Sequence, residues 1–500
     1  MSRPNVLFIM SDQMKASASH VYGNPDCRTP SMERLATEGV LFRNAFTPHP
    51  LCVPARTAVM ASRYPHQLGT RRNETLMPSG VNHAFRVWKN EGYRTGLIGK
   101  NHCFEQPDDL ELFDVRCEIG HRGLPDNPEA TGMEWARPVE AIRAAHAIRR
   151  NMPWHSPRVS YAVTDHPEED RITSVVTAQT ERFLERHAQS GGDAPFALWV
   201  SYPDPHEPYE APESYADMFP PELLSLPPRR EGEFDESAPE RNRVLHRILG
   251  MEEDDEEHVR RQLGVYYAMV RFVDDGIGRI LDALERLGLR ENTIVVFTSD
   301  HGDFAGEHNM FVKGGVFYDC LTRVPLVLSW PGRMPSDEED DSMVNTIDIV
   351  PTLLRLQGID APREMYGQPL PTVTEAAPRD AAFSEYGAGG PRFRMSDLEK
   401  IPGPYGYRTL IQCLQWREAE GRRKMARTRE WKYVHDPTGD KDELYDMVND
   451  PWELFNVAEE PANAEVIADM RRRLADWAVQ TEDAVPAPLP APEHYEPWSR

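Results

Sequence analysis

The sequence predicts an α/β fold: a large mixed, mainly parallel sheet sandwiched by helices, with a smaller C-terminal antiparallel sheet packed by a helix. Three observations predict it. Short apolar runs without polar alternation recur through most of the chain, as in strands buried on both faces. Stretches with apolar positions at helical spacing lie between them. Toward the C-terminus the pattern changes to short strand-like segments followed by one helical stretch.

The buried strands are expected, all parallel, at residues 5–10, 95–98, 196–201, 293–298 and 324–329. Helices are expected at 31–38, where Pro30 and Ser31 form a start signal, and at 55–62, 175–187 and 259–287. Residues 106–170, rich in Pro, Arg and His, and 220–258, with Pro-Pro pairs and the acidic run 252–257, read as insertions in a main domain spanning 1–375. Scattered prolines at 362–379 mark its end. In the following subdomain, 376–484, residues 408–415 and 430–435 read as antiparallel strands and 461–481 as a helix. The tail 485–500 is Pro-rich and reads as an extended arm. Tyr495 and Trp498 on it suggest docking across a neighbouring subunit, in a homodimer or homotetramer.

The 500 residues carry 56 Lys+Arg and 81 Asp+Glu, a net charge of −25. That balance excludes general binding to nucleic acid or to an anionic membrane. Mean hydropathy is −0.60 and no apolar run is long enough to cross a bilayer. The apolar run at 6–10 is too short for a signal peptide, so the chain is expected to begin near Met1 and to be cytoplasmic. The six cysteines form no CxxC pair and read as reduced thiols.

Chemistry is concentrated just past the strand ends, where open α/β sheets bind ligands. One strand runs into Asp12 and Gln13, another into Asp300 and His301. Two carboxylates brought together repel unless a cation lies between them, and the Gln13 carbonyl and His301 imidazole complete a candidate metal set. Other strand ends lead to Lys100 and His102, and to His206; Lys313 follows the Asp300 segment. A divalent ion ringed by Lys and His suits a sulfate or phosphate ester. Cys52 stands at an expected helix start, where the dipole favours an anion. As a thiolate it would be a soft ligand, poorly matched to a hard oxygen site.

Cys52-Val-Pro-Ala-Arg56, together with the segments at 4–12, 29–44, 62–66, 99–102, 205–208, 299–302, 431–434 and 443–456, resembles the sulfatases of the alkaline-phosphatase-like superfamily, in the family's order along the chain. The resemblance implies that a maturation enzyme oxidises Cys52 to formylglycine, whose hydrate binds the metal and attacks sulfur. It implies Asp12, Gln13, Asp300, His301 and residue 52 as metal ligands, with Ca2+ expected and Mn2+ the alternative. Arg56 would hold the nucleophile with His102, while Lys100, Lys313 and His206 grip a small anionic sulfate ester and protonate the leaving group.

Gln13 and His301 stand where many members carry Asp and Asn, a combination similar to the branch of choline sulfatases and phosphonate monoester hydrolases. The expected activity is therefore hydrolysis of a sulfate monoester, with phosphonate monoester or phosphodiester hydrolysis as the alternative. Lys100 and His102 argue for sulfate, because that rival branch tends to replace them. Ala61-Ser62 replaces the usual Thr-Gly after the signature helix. The leaving-group pocket is expected in the inserted regions, around Asn73, Trp135, Trp154, His155 and Tyr161.

Overall fold

The structure is a computed structural model that describes residues 3–128, 130–191 and 194–482; the expected arm at 485–500 lies outside them. Fourteen strands are described: β1 Asn5–Ser11, β2 Gly39–Phe46, β3 Arg94–Gly99, β4 Val115–Glu118, β5 Tyr161–Thr164, β6 Phe196–Tyr202, β7 Tyr209–Pro212, β8 Thr293–Ser299, β9 Leu326–Ser329, β10 Glu338–Asn345, β11 Ala382–Tyr386, β12 Arg423–Arg427, β13 Trp431–His435 and β14 Glu443–Asp446. Eight form the main sheet in the order β10-β2-β9-β8-β1-β6-β3-β4, and four form a C-terminal sheet in the order β11-β12-β13-β14. The C-terminal sheet is antiparallel throughout.

Strands β1, β6 and β8 are buried at every position, which is why their sequences are continuously apolar. Two cores sandwich the sheet. One joins Leu7, Ile9, Leu198 and Val295 to the long helix Glu256–Arg286 and to the helix Ile172–Gln189. The other joins Val6, Phe8, Trp199 and Val296 to the helices Ala84–Asn90 and Ile349–Leu356. The C-terminal sheet is packed by the helix Ala464–Gln480, whose Trp477 lies at 5.2 Å from the Phe383 ring and edge-on to Tyr64 at 5.0 Å.

Three local expectations are corrected. The strand expected at 324–329 is present as β9 but runs antiparallel to both β2 and β8. A short apolar run buried on both faces carries no mark of its direction. Residues 408–415 are helical, in Tyr407–Gln412 and Leu414–Ala419, not a strand. Apolar residues at Leu410, Ile411 and Leu414 fit helical spacing as well as a strand, and tertiary packing decides between them. The segment at 106–170 is more regular than its composition suggests, since β4 extends the main sheet beside β3 and the helix Val139–Arg150 follows.

Parallel pairing of β8, β1, β6 and β3 sets their C-terminal ends side by side. Ser11 is in register with both Ser299 and Tyr202, and Gly99 with Ser201. Gly99 closes β3 at φ 103°, where a Cβ would fall 1.9 Å from the Ser201 carbonyl oxygen. Only glycine allows that approach, and it turns Lys100 toward the neighbouring strand ends.

Candidate active site and metal centre

The helix Cys52–Ala61 begins at Cys52 and is buried along its whole length. Its first turn needs no N–H from position 54, so Pro54 is tolerated there and presets the helical angle. Arg56, four residues on, lies on the same face as Cys52. The Val53 N–H is capped from outside by Asn73 Oδ1 at 3.2 Å. Ser62 ends the helix in the left-handed region at φ 52°, where its hydroxyl donates to Ile347 O at 2.8 Å and accepts from Gly367 N at 3.1 Å. Those bonds hold a residue at a position that favours glycine.

Four donor groups converge over the strand ends: Asp12, Cys52, Asp300 and His301, all fully or almost fully buried, with one ligand atom of each within 4.8 Å of the others. Cys52 Sγ is 3.2 Å from His301 Nε2 and 3.9 Å from Asp12 Oδ1. His301 Nε2 is 3.8 Å from Asp12 Oδ1 and from Asp300 Oδ1. His301 Nδ1 lies 2.9 Å from the Gly302 carbonyl, which can only accept. The proton is therefore on Nδ1, and the Nε2 lone pair faces the two carboxylates. Burial pushes His301 below the usual histidine range, which keeps that lone pair free. The donor set fits a divalent cation.

Cations occupy the outer oxygens. Arg56 Nε donates to Asp300 Oδ2 at 2.8 Å, and its NH1 group to Ser201 Oγ at 2.8 Å and the Lys100 carbonyl at 3.1 Å. Lys100 Nζ donates to Asp12 Oδ2. Burial alone would raise Asp12, but Lys100, with Arg56 and Lys313, holds it well below the usual carboxylate range. Burial, reinforced by Asp12 and Asp300, pushes the Cys52 thiol up against the pull of Lys100 and Lys313. Cys52 is thus a thiol at neutral pH, which disfavours a thiolate nucleophile.

Gln13 sits beside the donor set at φ 66°. Its amide nitrogen donates to Asp303 Oδ2 at 2.6 Å and Glu207 Oε2 at 2.7 Å, which fixes which end of the amide points inward. The inward Oε1 accepts from Lys313 Nζ at 2.5 Å. Lys313 also donates to His206 Nε2 at 2.9 Å, while His206 Nδ1 donates to the Glu207 carbonyl at 2.6 Å. Burial, then Lys313, push His206 well below its ordinary range, so it is neutral and Lys313 carries the charge. Val312, a β-branched residue at φ 69°, is held there by bonds from its N–H to Asp303 Oδ1 and Tyr209 Oη. That strained turn aims Lys313. His102, at φ 48°, has a buried Nδ1 without a partner. Among the described residues it makes no hydrogen bond to Arg56.

All ten candidate residues therefore lie in one region. Of the pocket candidates, Asn73 caps the nucleophile helix, and Trp154, 54 % exposed, packs on Tyr407, whose hydroxyl donates to Glu207. Trp135 joins the core edge, and His155 stacks on Tyr161, a pair joined by His258.

Sequence reasoning gave no role to Ser201, Glu207, Asp303, Glu418 and His121; the first three stand at or just past strand ends already marked in the sequence, whereas Glu418 and His121 belong to no recognisable local pattern. His121 stacks on His206 with centroids 4.3 Å apart and meets the His102 ring edge-on at 5.5 Å. Asp12, His121 and His206 also offer ligand atoms within 4.8 Å of one another. Those three are unsuited to sharing an ion: the stacked rings lie in nearly parallel planes, and Lys313 already occupies His206 Nε2. Lys100 on Asp12 and Lys313 on His206 favour an anion there instead.

Glu418, fully buried, accepts from both the backbone and side-chain nitrogens of Asn73 at 3.1 Å. Burial pushes its carboxyl up from 4.5 to about 7, against those hydrogen bonds. The folded state then holds a proton that the unfolded chain releases. This contribution to stability is complete below the unfolded value and is lost as pH rises through about 7. Glu418→Gln is expected to flatten the fall of melting temperature between about pH 5 and pH 7; an unchanged slope would contradict the assignment.

Residues 4–359 match the family model Sulfatase. The chain is 29% identical over 499 residues to the uncharacterized sulfatase YidJ of Escherichia coli (strain K12), across 97% of this chain and 88% of that protein. It is 27% identical over 504 residues to the choline-sulfatase of Rhizobium meliloti (strain 1021), across 96% and 88%. The crystal structure of the phosphonate monoester hydrolase of Agrobacterium radiobacter superposes with a TM-score of 0.75 at 24% identity, covering 96% of each chain, a likeness of fold. With a family match over most of its length and relatives matched nearly end to end, the chain belongs to the sulfatase family and is a hydrolase of the sulfatase type.

Proposed function

We propose that the protein hydrolyses a sulfate monoester to an alcohol and sulfate, after oxidation of Cys52 to formylglycine. The observation that carries this reading is the pairing of a buried, protonated Cys52 thiol with a hard donor set and two lysines at one sheet edge. A divalent ion, Ca2+ first and Mn2+ second, would be held by Asp12, Gln13, Asp300 and His301, supplying Lewis acidity and compensating the carboxylates. The aldehyde, once hydrated, would supply the oxygen nucleophile in place of the thiol.

The chain's own residues do the rest. Arg56, anchored by Asp300 and Ser201, keeps position 52 fixed against the carboxylates. Lys100 and Lys313 draw the sulfate oxygens and offset charge as the ester S–O bond breaks. The Lys313–His206 pair holds one shared proton at 2.9 Å and passes it to the departing alkoxide; the water consumed in the cycle restores it. A maturation enzyme for Cys52, a cytoplasmic location and a homo-oligomer belong to the same proposal, as does a division into a catalytic domain at 1–375 and a C-terminal subdomain at 376–484.

Phosphonate monoester or phosphodiester hydrolysis on the same scaffold is the second reading, favoured by the pairing of Gln13 with His301. Retention of Lys100 and His102 favours sulfate, because the rival branch tends to replace them; sulfate monoesters, phosphodiesters and phosphonate monoesters all carry a single negative charge, so charge alone does not separate them. Purified enzyme on aryl sulfate, phosphate monoester, phosphate diester and phosphonate is expected to show the highest kcat/KM for sulfate. A preference for the diester or phosphonate would replace this reading with the second.

A further inference from the structure

His121 is half-buried on the turn joining Gly120 to Gly123, in the segment that follows β4. The turn is closed by reciprocal backbone bonds, Gly120 N to Gly123 O at 3.0 Å and Gly123 N to Gly120 O at 2.8 Å. At Gly123, with φ 90°, a Cβ would fall 2.4 Å from the His146 ring, so the turn is seated against the helix Val139–Arg150. The same helix supplies Arg149, which donates to Asp204 Oδ1 at 2.6 Å and to the His206 carbonyl at 2.8 Å. His121 and His206 thus share one rigid support, and their rings stack.

One ring nitrogen of His121 lies within 4.8 Å of both the Asp12 carboxylate and the His206 ring. Its Nδ1 is buried without a hydrogen-bond partner. That nitrogen, beside the reacting centre, is available to a group that binds there. Beyond His121 a cavity of about 470 Å³ opens from Lys100 and His102 toward Arg122 and Pro125. Lys100 is at its inner end, so an ester gripped there points its alcohol portion past His121. The outer wall is polar: Arg116 pairs with Glu118 at 3.0 Å, and the exposed Arg122 makes no ion pair among the described residues.

Resting on the sulfate-ester reading, we propose that His121 contacts the leaving group, its ring N–H hydrogen-bonding the ester oxygen that becomes the alkoxide, and that the cavity beyond it takes a polar, hydroxylated alcohol. A donor aimed at that oxygen matters most when the departing oxygen carries most charge, as in alkyl or sugar esters, and least for a nitrophenolate, which stabilises its own charge. Wild type, His121→Ala and His121→Asn are compared on 4-nitrophenyl sulfate and on a sugar sulfate, with melting temperatures alongside. His121→Ala is expected to lose about 100-fold in kcat/KM on the sugar sulfate and less than about threefold on the aryl ester, and His121→Asn, which keeps a donor, to recover part of the loss. Equal losses on both esters, or no loss on either, would overturn the contact. If His121→Ala does not fold, His121→Phe, which keeps a ring to stack on His206 and removes the donor, carries the same comparison. Wild type inactive on every sulfate but active on a phosphonate would instead remove the sulfate-ester reading on which the contact rests.

Discussion

Cys52→Ala is expected to abolish turnover, by at least about 10⁴-fold, while the protein stays folded. The side chain is 3 % exposed and packs against His301 and Asp12 without anchoring either, so removing one sulfur costs about 1 kcal/mol of stability. Arg56 keeps its bonds to Asp300, Ser201 and the Lys100 carbonyl, and the donor set keeps three of its four members. Cys52→Ser is expected to behave differently. A serine hydroxyl can attack sulfur in the same position, but it cannot expel sulfate by re-forming an aldehyde. One turnover should leave a covalent sulfate ester at position 52, visible by mass spectrometry of the intact protein. Sustained turnover by either variant would contradict a catalytic role for an oxidised Cys52.

Asp300→Ala is expected to lose the divalent ion and activity together, the latter by more than about 10³-fold. Asp300 Oδ2 receives Arg56 and Oδ1 receives the backbone N–H groups of Gln13 and His301, at 3.0 and 2.9 Å. Its removal leaves the buried Arg56 facing only Asp12, 4.0 Å away, and costs about 3–5 kcal/mol. Asp300→Asn keeps the shape and separates the two effects, losing the ion with less loss of stability. Ca2+ should raise the melting temperature of the wild type by an amount that grows with RT ln(1 + [L]/Kd), about 2.7 kcal/mol at 100 Kd, and leave that of Asp300→Asn unmoved. Chelation should abolish wild-type activity, and Ca2+ or Mn2+ restore it. Metal analysis finding full occupancy in either variant would contradict the assignment.

Most of the residues that could be read from sequence closely follow a buried strand, Asp12 and Gln13 after β1, Lys100 and His102 after β3, His206 after β6, Asp300 and His301 after β8; Cys52 starts a helix with Arg56 four residues on, and Lys313 lies further along, past β8. Asp12, Lys100, His206 and Asp300 are delivered by local geometry, so a run of apolar residues ending in a polar cluster already points to them. The parallel sheet was legible for the same reason, from β1, β3, β6 and β8. What was not legible depends on distance along the chain. Glu418 reaches Asn73 across 345 residues and Glu207 reaches Gln13 across 194, with no spacing that links them. His121 lies in a segment of irregular composition, and only the stacking on His206 gives it meaning. β10, with sequence EEDDSMVN, escaped notice because it is an edge strand with exposed acidic residues at its start and carries no apolar run. The direction of β9 and the helices over 407–419 were set by packing, not by local pattern.

The central claim is that activity resides in an oxidised residue 52. It is tested most directly by preparing the enzyme with graded co-expression of a formylglycine-generating enzyme. Mass spectrometry of the peptide carrying position 52 then gives the aldehyde fraction in each sample, to be set against kcat on an aryl sulfate. Turnover per mole of protein should rise in proportion to the aldehyde fraction and extrapolate to zero where Cys52 is wholly thiol. Full turnover from a sample in which every Cys52 is a thiol would contradict it.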